Sequence, residues 1–211
     1  DKGHLDAIYK LGLILVNGDI GIEQDKDQGF RFIQIAAKNG NADAFGSLAQ
    51  LYMEGKRVPV NTNLAIKYFK KGIEKGSALA MCEYANMLAH GIGVPIDYDL
   101  ATKYFKMAIN KGYTRALNDY AYMMDNMEDV PPDYELSIEY FKLAAKEGDG
   151  DAYINLSSKY LKGDGVPINY NLGLKYIKKA MKKGIPTAFH NYACMLREGF
   201  AVPVDYEEAI K

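Results

Sequence analysis

Residues 41–76 read NADAFGSLAQLYMEGKRVPVNTNLAIKYFKKGIEKG. Phe45, Leu48, Ala49, Leu51 and Tyr52 recur at helical spacing, not at the alternation of a strand. Gly55 then stops the helix, because glycine takes a positive φ just past a helix end without a Cβ penalty. Val58-Pro59 follows, and proline cannot continue a helix. Asn61 is suited to cap a second helix running through Leu64, Ala65, Tyr68, Phe69 and Ile73 to Gly76. The stretch therefore reads as helix, turn, helix.

The same pattern recurs along the whole chain. Gly40, Gly76, Gly112, Gly148 and Gly184 are spaced by 36 residues, as are Ala44, Ala80, Ala116, Ala152 and Ala188. Val-Pro recurs at 58, 94, 130, 166 and 202, and an aromatic pair at Tyr68-Phe69, Tyr104-Phe105 and Tyr140-Phe141 becomes Tyr176-Ile177. Gly18, Gly91, Gly163 and Gly199 repeat the stop, and Asp97, Asp133, Asn169 and Asp205 the cap. Gly3 and Ala7 lie one residue out of phase, which one insertion in the loop after Gly18 explains. Small residues at Ala65, Ala101, Ser137, Gly173 and Ala209 allow close helix approach. The fourth repeat departs: Met127 replaces the stopping glycine and Pro131-Pro132 doubles the proline, predicting a local irregularity and not a domain boundary.

The expected fold is all-α, an α/α superhelical solenoid of about six helix-turn-helix repeats. The repeats run at about 4–40, 41–76, 77–112, 113–148, 149–184 and a truncated 185–211, in one continuous array over 1–211. The 211 residues thus count modules, and the array is expected to continue into further repeats at both ends.

Composition narrows the function. Charged residues at 25% and hydrophobic residues at 48% are globular values, and the net charge of −1 gives no bulk pull toward nucleic acid or membrane. No apolar run is long enough to span a bilayer. Two cysteines make no disulfide framework.

Written as Ala-x3-Leu-Ala-x2-Tyr-x2-Gly-x2-Val-Pro-x-Asp-x3-Ala-x2-Tyr-Phe-x2-Ala-x3-Gly, the repeat resembles the Sel1-like repeat, a relative of the tetratricopeptide repeat. Two columns depart from it: only Gly12 keeps a glycine that Ala49, Ala85, Ala121, Ser157 and Ala193 replace, and Tyr or Phe stands where Trp is frequent. The resemblance implies a non-catalytic scaffold or adaptor of the kind found in membrane-protein degradation, cell-wall regulation and bacterial signalling. One secreted branch bridges the helices of each repeat with paired cysteines. Cys82 and Cys194 form no such pairs, which favours a cytoplasmic, reducing location over the ER lumen. The Asn155-Leu156-Ser157 triplet lies inside an expected helix and is read as chance.

By similarity to tetratricopeptide arrays, the first-helix face opposite Leu48 and Tyr52 lines a concave groove. Its columns do not repeat, which suggests recognition and not packing. One holds Tyr9, Gly46, Cys82, Asn118, Ile154 and His190; the next Leu13, Gln50, Asn86, Tyr122, Ser158 and Cys194; the third Val16, Met53, Ala89, Asp125, Leu161 and Arg197. The expected ligand is a protein or peptide segment of mixed character, with no nucleic acid and no membrane insertion. On the second helices a lysine stripe (Arg31, Lys67, Lys103, Glu139, Lys175, Lys211; Lys70, Lys106, Lys142, Lys178) reads as a solvated face.

Catalysis is not expected. Cys82 and His190 share a column three repeats apart, ~30 Å at ordinary helix spacing. No histidine is expected to find a metal-ligand partner at i, i+4, and Gly91-Ile92-Gly93 and Gly163-Asp164-Gly165 lack a phosphate-binding context. No cofactor is expected. The remaining alternatives are a structural element of a cytoskeletal or membrane-associated assembly, and a regulatory array fused to an enzyme domain elsewhere.

Overall fold

The computed structural model describes residues 2–18, 21–55, 58–200 and 202–209, the side chains of Lys2 and Glu208 excepted. The insertion expected after Gly18 falls partly, and Lys211 of the stripe wholly, outside these residues. The fold is all-α, a solenoid of paired helices, and divides into two compact units, residues 1–113 and 114–211.

The first unit holds α1 (Lys2–Asn17), α2 (Lys26–Lys38), α3 (Ala42–Glu54), α4 (Thr62–Glu74), α5 (Ala78–His90) and α6 (Tyr98–Asn110). The second holds α7 (Arg115–Asp125), α8 (Tyr134–Lys146), α9 (Gly150–Lys162), α10 (Tyr170–Lys182), α11 (Pro186–Glu198) and α12 (Tyr206–Ala209). Odd helices are the first of each repeat and even helices the second. Within each unit α1 to α10 pack most heavily on their own repeat partners, whereas α11 packs more on α10 than on the short α12.

Local chemistry sets the boundaries as the repeat columns predict. The Asn61, Asp97, Asp133 and Asn169 side chains accept the amide protons of Leu64, Leu100, Leu136 and Leu172. Gly55, Gly91, Gly163 and Gly199 close α3, α5, α9 and α11 in the left-handed region. A second set of caps lies ahead of the first helices: Asn41, Ser77 and Asp149 accept from Ala44, Ala80 and Ala152. In the fourth repeat α7 is 11 residues long, not 13, and ends at Asn126 (φ −126°) without a left-handed cap. The irregularity falls where Met127 displaced the glycine, and Asp129 there has φ 58°.

The core is built at the helix crossings. Phe69, Phe105, Phe141 and Ile177 occupy one column at 0–2% exposure. The two small-residue columns face one another: Gly12 lies against Gly29, and Ser157 against Gly173. Tyrosines from paired helices meet within repeats, Tyr52 stacked on Tyr68 and Tyr160 on Tyr176, each at 5.7 Å.

The Asp149 cap is half buried, and burial pushes its carboxyl above the ordinary aspartate value. The hydrogen bond from Ala152 opposes that rise and Asp151 adds to it. A raised folded-state pKa means the folded chain holds the proton more tightly. Stability from this group is therefore present at low pH and lost as pH rises through the raised value. Asn41 shows that asparagine caps the equivalent helix equally well. Asp149→Asn is thus expected to stabilise the second unit at neutral pH by under about 1 kcal/mol, the half-exposed carboxylate being screened. It should also flatten the acidic limb of stability against pH. Urea melts across acidic and neutral pH measure both, and a loss at neutral pH would refute the assignment.

Candidate functional site

In the first unit, the anticipated groove residues divide between packing and surface. Cys82 is fully buried, so it cannot meet a partner. Its column is small at Gly46 because α3 lies against the start of α5: a Cβ on Gly46 would fall 3.0 Å from Leu79 Cδ2. Packing dictates this column at Gly46 and Cys82. The Tyr9 hydroxyl is hydrogen-bonded to Ser47 Oγ at 2.8 Å, tying α1 to α3, and burial pushes its phenol above the ordinary value. Gln50 Nε2 donates to Glu83 Oε1 at 3.0 Å, a link between successive first helices. Leu13 and Val16 pack on the core around Ile33 and Leu48. Val16 also borders a cavity of about 160 Å³ with Gln24, Phe30 and Leu51. Met53 and Asn86 are partly exposed.

In the second unit, Asn118 is 8% exposed and accepts from Asn155 Nδ2 at 2.9 Å. The glycosylation-type triplet is therefore part of a helix interface, with Ser157 buried. Leu161 leans over α10, since a Cβ on Gly173 would lie 2.5 Å from its Cδ2. Ile154 is partly buried, and Tyr122 is 46% exposed.

Asp125 and Ser158 border a polar pocket of about 380 Å³. Its floor is an ion pair, Lys159 Nζ to Asp125 Oδ2 at 2.7 Å, with both side chains at most 10% exposed. Ser137 Oγ donates to Asp125 Oδ1 at 2.6 Å, and the Lys159 ammonium lies 3.9 Å over the Tyr134 ring. Tyr122, Asn126, Asn155, Lys162 and Asp164 complete the rim.

Sequence reasoning placed Asp125, Ser158 and Tyr122 on this face but missed Lys159, and took Ser137 only as a small residue. The signal was in the columns. Lys159 stands where other repeats have Leu51, Met87, Met123 and Met195, and Ser137 where they have Ala or Gly. Ser137 and Lys159 are two polar departures that converge with Asp125, from a column that does not repeat, on one buried network.

On α11, His190 is exposed and its Nε2 lies 3.7 Å from Cys194 Sγ, which Arg197 Nη2 approaches to 4.0 Å. This corrects the expectation that no histidine has an i, i+4 ligand partner: the reading compared His190 with Cys82 and overlooked the nearer thiol. Two ligands do not make a closed metal site. Among the described residues no group of three His, Cys, Asp or Glu could hold a metal ion.

The lysine stripe is exposed at every described position. Part of it reaches the next first helix, Lys70 lying 5.8 Å from the Tyr84 ring centroid and Lys178 5.7 Å from Tyr192. Among the described residues no helix is long and apolar enough to cross a membrane.

The Sel1 repeat family matches residues 5–41, 47–77, 78–113, 114–149, 150–185 and 188–211. Among solved structures, a Sel1 repeat protein from Oxalobacter formigenes is 25% identical. The match covers 98% of this chain and 82% of that one, with a TM-score of 0.83. The protective antigen c5321 of uropathogenic Escherichia coli, described as having an SLR fold, is 26% identical over 99% of this chain and 44% of its own, with a TM-score of 0.68. The immunity protein Pa5087 of Pseudomonas aeruginosa shares the fold at 20% identity and a TM-score of 0.70, over 98% of this chain and 78% of that one. No curated protein matches the chain. The six matched segments fall on the six helix pairs, and the chain belongs to the Sel1 repeat family.

Proposed function

We propose that this chain is an adaptor that holds an extended or helical segment of a partner protein along the exposed face of its first helices. Sel1 repeat proteins generally mediate protein–protein interaction, and their fold is typically a non-catalytic scaffold. One observation carries the finer reading. The columns that repeat at the helix crossings are spent in the core, while exposed Tyr122 and His190 and partly exposed Asn86, Met53 and Ser158 differ from repeat to repeat. A stacked array needs sameness where repeats meet and is free to vary where a ligand sets the demand.

The test places a photo-crosslinking amino acid at Asn86 or Tyr122 on the first helices, and at Lys67 or Lys178 on the second. It is carried out in the native cell with products identified by mass spectrometry. Recurrent adducts to one protein from Asn86 and Tyr122, absent from Lys67 and Lys178, are expected. Adducts confined to the second-helix positions would overturn the proposal.

A further inference from the structure

We propose that the pocket over the Asp125–Lys159 pair binds a neutral amide, the side chain of an Asn or Gln carried by the partner segment. The inference rests on the preceding reading of the first-helix face and adds the chemistry of one subsite.

Three observations lead there. First, the network has no evident value as packing. Other repeats fill the Lys159 position with Leu or Met and the Ser137 position with Ala or Gly. A buried ion pair is on average no better for stability than apolar residues of that size. Stability alone does not call for two polar departures beside a paired carboxylate.

Second, the charges cancel. The pocket is bordered by Asp125 and Asp164 and by Lys159 and Lys162. An anionic or cationic ligand would meet its own sign on the same rim as the opposite one, whereas a neutral dipole meets no such penalty.

Third, donors and acceptors are interleaved and held in place. Asn155 spends an amide proton on Asn118, and Asn126 donates to the Tyr122 carbonyl at 2.7 Å. Each amide still has a side-chain oxygen able to accept, and both residues border the pocket. Ser158 and Lys159 supply donors, and an amide that donates and accepts at once matches that set. The exposed Tyr122 ring offers a plane beside the opening.

The test titrates the isotopically labelled chain with N-acetyl-glutamine N-methylamide, and separately with the glutamate and lysine analogues, following the Asn126 and Asn155 side-chain amide signals by NMR. Saturable shifts with the glutamine probe are expected, at least about tenfold weaker for the charged analogues. They should change little from about 0.05 M to about 0.5 M NaCl. The variant Asp125→Ala with Lys159→Met, checked for unchanged helical content, should lose them. Equal or stronger binding of a charged analogue, no saturable shift with any probe, or shifts that survive the double substitution would each overturn the inference. If the probes fail while crosslinking from Asn86 and Tyr122 persists, this subsite alone is refuted. If crosslinking comes only from the second helices, the broader reading fails whatever the probes do.

Discussion

Asp125→Ala is expected to destabilise the second unit by about 3–5 kcal/mol, and adding Lys159→Met in the same chain to restore most of that loss. The single substitution leaves an ammonium group whose side chain is 7% exposed without its carboxylate. The Tyr134 face 3.9 Å away compensates by about 1–2 kcal/mol at most, since a ring quadrupole is a weaker partner than a carboxylate. Ser137 loses less, because its hydroxyl also reaches the Tyr134 carbonyl at 3.2 Å. The double variant places Ala and Met where the third repeat carries them at Ala89 and Met87 and the fourth carries Met123. It removes both charges together, which avoids an orphaned one. Amide hydrogen exchange in α7 and α9 measures the effect locally. The single variant should lose protection by about two to four orders of magnitude at slowly exchanging sites, and the double variant by much less. A loss under about 1 kcal/mol for Asp125→Ala would mean that Lys159 turns to water and the pair counts as a surface contact.

The repeat made most of the fold legible. Glycine stops, Val-Pro turns and Asn or Asp caps each act within a few residues, so a single sequence displays their physics directly. The Asn41, Ser77 and Asp149 caps are legible by the same logic, three positions ahead of the alanine column. The candidate site was only half legible. Helical phase puts Cys82, Asn118 and Tyr122 on one face, but phase alone does not tell which part of a face the next repeat covers. Asn118 is covered where Asn155 of the next first helix bonds to it, and Cys82 is wholly buried. The most informative positions broke a buried column. Lys159 in a methionine column signals a buried partner on any reading, because an unpaired buried ammonium is too costly to keep. That partner, Asp125, sits 34 residues earlier, and no local rule connects the two.

Gly29→Leu is expected to cost the first unit about 3 kcal/mol or more, and Gly29→Ala to be destabilising as well, against its intrinsic helix preference. Alanine is favoured over glycine in a helix interior by about 1 kcal/mol, so on propensity alone the second change should help. Space decides otherwise. A Cβ on Gly29 would lie 2.7 Å from the Gly12 carbonyl oxygen and 2.8 Å from the Val16 amide nitrogen. Both are backbone atoms of α1, so no side-chain rotation relieves the contact and the helices must separate. Overpacking of this kind costs about 1–3 kcal/mol for small insertions. That exceeds the propensity gain over most of its range. Leucine adds three more carbons at the same crossing and forces α1 from α2 along Ile33, which is wholly buried. Hydrogen exchange in α1 and α2 separates the two contributions, because propensity acts on α2 alone whereas separation exposes both helices. A more protected α1 in Gly29→Ala would show that the crossing has room to spare. It would also remove the physical reason for the glycine at the one repeat where both small-residue columns reach their minimum size.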